Sequence, residues 1–184
     1  MMDRRTALKN MALSFGFAVS GTTIISVFNS CSDAKTTVIS EFFKASEMYS
    51  ISQLVDLLLP TTTTIGAKDL NIARFIDKMC QHVLNAEQQM EMKLGTEEFS
   101  KRFNNITGKV PVDGNVEDYQ KMLTTYFHIS EAQQDAVFEL LDSDYQLLAH
   151  DLKPDYRLYT FLTTVRELSL LGFFTSQTIM ELEA

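Results

Sequence analysis

The run from Leu158 to Leu171 constrains the fold more than any other stretch. Leu158, Phe161, Leu162, Val165, Leu168 and Leu171 recur at the three- and four-residue steps of a helix, and they cover more than one side of it. A helix apolar on more than one side needs neighbours on each, so this one is expected to be central and the most buried. Arg166-Glu167 falls inside it. A charge in a buried helix must be paired or face an interface, and an internal pair is the expectation here. No segment alternates apolar and polar residues as a half-buried strand does. The expected fold is all-α, a single compact helical domain of about six to eight helices.

The rest of the body follows the same period. A helix capped by Ser50 or Ser52 is predicted through Leu59, with Leu54, Val55, Leu58 and Leu59 as its apolar face and Pro60 as its stop. The polar, β-branched loop Pro60–Asp69 follows, carrying Thr61, Thr62, Thr63, Thr64 and Gly66. Such a loop in a small helical domain serves either a function or only a connection. Asn71 is placed to cap a helix through Leu84 whose buried face is Ile72, Phe75, Ile76, Met79 and Val83. Glu87–Ile106 reads as helical with a break at Gly95-Thr96, and Phe99, Phe103 and Ile106 form its later stripe. Gly108–Gly114 reads as a loop and Val116–Phe127 as a short helix. Ser130 and Gln133 have capping-box spacing for a helix reaching about Leu152, with Val137, Leu141, Tyr145 and Leu148 as its core stripe. Pro154-Asp155 restarts the chain as the central helix, Gly172 offers its C-cap, and Thr175 or Ser176 caps a terminal helix to Glu183.

The N-terminus has a different character. Asp3-Arg4-Arg5-Thr6-Ala7-Leu8-Lys9 precedes an apolar segment, Met11–Phe28, and then Asn29-Ser30-Cys31. A basic head, an apolar middle and a small residue before a processing point have the layout of an export signal. Ser14, Gly16, Ser20, Gly21, Thr22, Thr23 and Ser26 keep the segment's hydrophobicity below that of a stable span. It therefore reads as a signal rather than a permanent anchor. Arg4 and Arg5, followed by Leu8 and Lys9, look like a twin-arginine signal, which exports folded proteins to the periplasm. Cys31 leaves two readings open: a lipoprotein processing site, whose lipid would tie the body to a membrane, or an ordinary thiol. The chain is thus divided into a signal segment (1–30), a linker with the first helical turns (31–49) and the helical domain (50–184).

Composition narrows the function. Of the chain's 16 basic and 24 acidic residues, three basic and one acidic lie in the first 30, which leaves the body at −10. An acidic body repels phosphate backbones, so nucleic acid is excluded as a partner. Two cysteines, Cys31 and Cys80, make no disulfide framework, Cys-rich zinc site or haem-attachment motif. The chain also has no dinucleotide fingerprint, Walker loop, zinc-protease helix or nucleophile elbow. His82, His128 and His150 lack ligand spacing, and no carboxylate pair stands out as an acid and base set. No catalytic, cofactor-binding or metal-binding residue is therefore assigned.

Several stretches together resemble the gluconate 2-dehydrogenase subunit 3 family, the small accessory subunits of membrane-associated flavin sugar and alcohol dehydrogenases. They are the leader, Leu58-Leu59-Pro60 through Gly66-Ala67-Lys68, Ala73-Arg74-Phe75-Ile76-Asp77, Ser130–Asp142, and Arg166-Glu167-Leu168-Ser169-Leu170-Leu171-Gly172-Phe173-Phe174-Thr175-Ser176. The family's loop usually reads Pro-x-Thr-Asp-Thr-Pro-Gly-Ala; here Thr63 stands for the Asp and Ile65 for the second Pro. Gln177 stands where an acidic residue is common.

The resemblance implies a non-catalytic subunit without its own cofactor. It would escort a large dehydrogenase of the glucose-methanol-choline type, with FAD in that partner, and it allows a cytochrome c subunit as a further partner. Membrane association would come only through the signal or a lipid on Cys31. Thr61–Thr64, Gly66, Arg166, Gly172, Phe173, Phe174, Thr175 and Ser176 are the candidate partner interface. The competing expectation is a free-standing helical periplasmic lipoprotein that binds a small ligand or envelope component.

Overall fold

The computed structural model describes residues 40–176 together with Val27, Thr178 and Ile179. Among these residues the chain is all-helical, with six helices of eleven residues or more, one 3-10 turn and no strand. The helices are α1 (Ala45–Leu58), α2 (Ile72–His82), α3 (Ala86–Thr107), α4 (Val116–Phe127), α5 (Glu131–Asp142) and α6 (Lys153–Thr175). They divide into two compact units. One comprises the described residues up to Asn85 and from Val165 onward, the other Ala86–Thr164.

In the first unit, α1 begins earlier than the Ser50 or Ser52 cap predicts. Lys44 is its N-cap, and the Glu47 carboxylate accepts the Lys44 N–H at 2.8 Å, which satisfies one of the amides a helix start leaves open. Ser50 is instead buried within the helix, its hydroxyl donating to the Ser46 carbonyl. Ile51, Leu54 and Val55 form the buried face, while Leu58 and Leu59 are half-buried.

Helix α2 starts where Asn71 takes a left-handed conformation (φ 52°). Asn71 occupies the predicted cap position, but its side chain makes no capping bond. Ile72, Phe75, Ile76, Met79 and Cys80 are fully buried. Asp77 lies among them, 2% exposed, and accepts three backbone N–H groups: Glu41 at 2.7 Å, Phe42 at 3.1 Å and Phe43 at 2.9 Å. A carboxylate that leaves water needs such partners. Asp77 thereby ties the segment before α1 to the middle of α2.

In the second unit, α3 runs unbroken through Gly95-Thr96, against the predicted break. The glycine is there for space: a Cβ at Gly95 would lie 2.6 Å from the Phe161 Cβ and 2.8 Å from the Arg157 carbonyl oxygen. Tertiary packing overrides glycine's low helix propensity. Phe99, Phe103, Tyr119 and Phe161 form an aromatic core with ring centroids 4.8–6.2 Å apart. The Tyr119 hydroxyl donates to the Pro111 carbonyl at 2.9 Å, which closes the 3-10 turn Pro111–Asp113. Helix α4 has the predicted bounds and is capped by Asn115.

The capping box of α5 forms as expected: the Gln133 carboxamide oxygen accepts the Ser130 N–H, and the Ser130 hydroxyl accepts the Gln133 N–H. The helix stops at Asp142, ten residues short of Leu152. Asp144 accepts the Gln146 N–H at 2.8 Å, a local turn that competes with helix continuation. None of its expected core stripe (Val137, Leu141, Tyr145, Leu148) is buried; all four are half-buried.

All six apolar residues that define the central helix are buried in α6, at 2% exposure or less. Leu158, Phe161 and Leu162 serve the second unit, and Val165, Leu168 and Leu171 the first. Gly172 is no C-cap, because α6 continues to Thr175. A Cβ there would lie 2.7 Å from the Phe75 ring and 3.2 Å from the Ile72 Cδ1. Here too the glycine serves close packing.

Candidate functional site

The loop between α1 and α2 is held together by one carboxylate. Asp69 Oδ2 accepts the Thr61 hydroxyl at 2.8 Å and the Gly66 N–H at 2.9 Å. Those bonds, the backbone one first, hold its carboxyl below the usual range. The Thr62 N–H donates to the Thr64 carbonyl at 3.1 Å, and the two hydroxyls lie 3.2 Å apart. The turn closes where Ala67 N–H donates to the Leu59 carbonyl at 2.8 Å. A Cβ on Gly66 would lie 2.3 Å from the Thr61 nitrogen, so the loop admits only glycine there. Thr61, Thr62, Thr63 and Thr64 are exposed on its rim. A plain reading of the threonines does not reveal Asp69; its position eight residues beyond Thr61 carries no periodic signal.

Beside the loop lies a cleft of about 310 Å³ between α1 and the start of α2. Asp56, Lys68 and Arg74 supply its charged groups, and Met48, Val55 and Ile72 its apolar wall. Burial pushes the Asp56 carboxyl up, while Lys68 pulls it back. The charges are mixed.

The second candidate stretch closes the same unit. Gly172 packs on Ile72 and Phe75, so the end of α6 rests on the helix that begins where the threonine loop ends. Of Phe173–Ser176, Phe174 is the outward residue, at 43% exposure. Phe173 is half-buried with its ring edge-on to Phe174 at 5.3 Å. The Thr175 hydroxyl donates to the Leu171 carbonyl. Ser176 is buried, donates to the Phe173 carbonyl and accepts the Ile179 N–H at 3.3 Å, the predicted cap. Arg166 is exposed and Glu167 half-buried. Burial pushes the Glu167 carboxyl up to about 7, against the pull of the Arg166 charge.

In the second unit, Glu98, 6% exposed, accepts from Arg102 at 2.9 Å, and Arg102 donates also to Asp155 at 2.7 Å. This network joins α3 to the start of α6. No sequence spacing pairs Arg102 with Asp155. Lys153 stacks over the Tyr145 ring, and the Arg157 Nε donates to the Tyr145 hydroxyl at 2.9 Å.

His82 is exposed and lies 2.7 Å from Glu41; His128 and His150 are exposed on other elements. Among the described residues, no group of three His, Cys, Asp or Glu side chains is arranged to hold a metal ion. No described helix is long and apolar enough to cross a membrane. Arg4, Arg5, Leu8, Lys9 and Cys31 lie outside the described residues.

The sequence model of the family described as Gluconate 2-dehydrogenase subunit 3 matches residues 45–183. No curated protein and no solved structure matches the chain. The matched region begins at the first residue of α1 and takes in all six helices. The chain belongs to the gluconate 2-dehydrogenase subunit 3 family.

Proposed function

We propose that this chain is a non-catalytic accessory subunit that binds a large FAD-dependent dehydrogenase acting on sugars or sugar acids, escorts it through twin-arginine export and helps assemble it in the periplasm. The observation that carries the reading is the family match over 45–183, which supports a larger dehydrogenase as the partner of this subunit. The leader with Arg4, Arg5, Leu8 and Lys9 supports the export role. A flavoprotein must take up FAD before it crosses, so it crosses folded, and a partner lacking its own signal depends on the tag of the chain bound to it. The pair must then hold through transit at roughly nanomolar strength, with ~1,600 Å² or more of surface buried between them. A lipid on Cys31 would keep the assembled enzyme at the membrane, where a cytochrome c subunit could receive its electrons.

Replacing Arg4 and Arg5 by lysine tests the escort role. The expected outcome is a flavin dehydrogenase stranded in the cytoplasm, read as substrate-dependent dye reduction in separated cell fractions. Normal export of that dehydrogenase in cells lacking this chain would overturn the reading.

A further inference from the structure

From Glu131 to Leu152 no residue is buried. The stretch nevertheless carries large apolar side chains, with Phe138 exposed to 64%, Leu147 to 84% and Leu152 to 42%. On α5 the half-buried Val137, Leu140 and Leu141 share one side. Phe138 flanks that side, three residues from Asp135, four from Asp142 and seven from Glu131, spacings that stack all four on one stripe. Glu131, Asp135, Glu139, Asp142, Asp144 and Asp151 are all exposed, and residues 129–152 contain no Lys or Arg. The stretch thus sets exposed apolar side chains among acidic ones, and the basic side chains that touch it, Lys153 and Arg157, are drawn onto Tyr145.

Apolar anchors of this size, left in water by the chain itself, mark an interaction surface. The charge selects the occupant. A second copy would set acid against acid, and an anionic lipid surface or a nucleic acid would be repelled likewise. We infer that the face formed by α5 and the run to Leu152 docks the large dehydrogenase subunit, and that the complementary surface is an apolar socket for Phe138 and Leu147 ringed by Lys and Arg. This rests on the accessory-subunit reading, and it moves the principal contact from the threonine loop to the second unit.

The test uses the full chain, tagged and expressed in its own host, purified with the flavin-containing subunit that accompanies it. Phe138→Ala/Leu147→Ala, and separately Asp135→Lys/Asp142→Lys, are compared with the unaltered chain, and helical circular dichroism confirms that both variants fold. The probe is the flavoprotein recovered with the unaltered chain, rebound to each variant. The first variant is expected to weaken binding at least about thirtyfold, and the charge reversal about tenfold. Both losses together support the inference. If the unaltered chain brings down the flavoprotein and both variants bind it equally well, the inference is overturned while the accessory-subunit reading stands. If the unaltered chain brings down no flavoprotein, that reading falls and the inference falls with it.

Discussion

Helices α2 and α5 are nearly the same length, eleven and twelve residues, and both show amphipathic spacing in the sequence. Helix α2 buries Phe75, Ile76, Met79 and Cys80 completely and uses a buried carboxylate to hold the chain entering α1. Helix α5 buries nothing and turns Phe138 outward between carboxylates. Helical period alone says that a face exists; it does not say whether that face belongs to the chain's own core or to another molecule. The charged residues separate the two cases. On α2 the acidic residue of the apolar face is Asp77, which accepts three N–H groups of its own chain, whereas on α5 the acids form a solvated rim.

The largest expected effect is in stability. Phe75→Ala should destabilise the fold by about 4 kcal/mol, through lost burial plus a cavity, whereas Phe138→Ala should change it by no more than about 0.5 kcal/mol. Urea unfolding of the two variants measures both, and equal costs would erase the distinction between the helices. Asp77→Ala comes next, at about 3 kcal/mol, because it leaves backbone N–H groups without an acceptor in a largely buried place. The same unfolding curves report it.

Glu167 gives a pH-dependent effect. Its carboxyl sits at about 7 in the folded chain against an ordinary 4.5. The native state therefore holds that proton more tightly. Its contribution is fully present below 4.5 and is lost as pH rises through 7. Glu167→Gln should be neutral in acid and stabilising by about 2 kcal/mol above pH 7, after allowance for solvent screening. A benefit that does not change with pH would contradict this. The smallest expected effect is on the threonine loop. Thr63→Ala removes an exposed side chain and should alter stability by less than about 0.5 kcal/mol. If binding of the flavoprotein fell more for Thr63→Ala than for Phe138→Ala, the loop would replace α5 as the principal contact.

The all-α class and the centrality of α6 were legible because each rests on a period repeated over many residues. Leu158, Phe161, Leu162, Val165, Leu168 and Leu171 are all buried as their spacing predicts. What depended on one residue's distant neighbour was not legible. Gly95 and Gly172 read as a helix break and a C-cap, yet both lie inside helices against bulky side chains, Phe161 and Phe75. The end of α5 at Asp142 depends on local bonding by Asp144, which outweighs an apolar period that continues to Leu148. The loop's organiser escaped for a similar reason. Asp69 stands at the far end of the loop, where no spacing links it to Thr61 and Gly66, yet it bonds both directly.

Hydrogen exchange of the intact chain, alone and bound to its flavoprotein, tests most directly whether α5 is kept for a partner. The account predicts that the amides of Glu131–Asp142 and the run to Leu152 become protected on binding, while those of Ile72–His82, already in the core, do not change. Protection that appears in the threonine loop and the Phe173–Ser176 turn, with α5 unchanged, would contradict it.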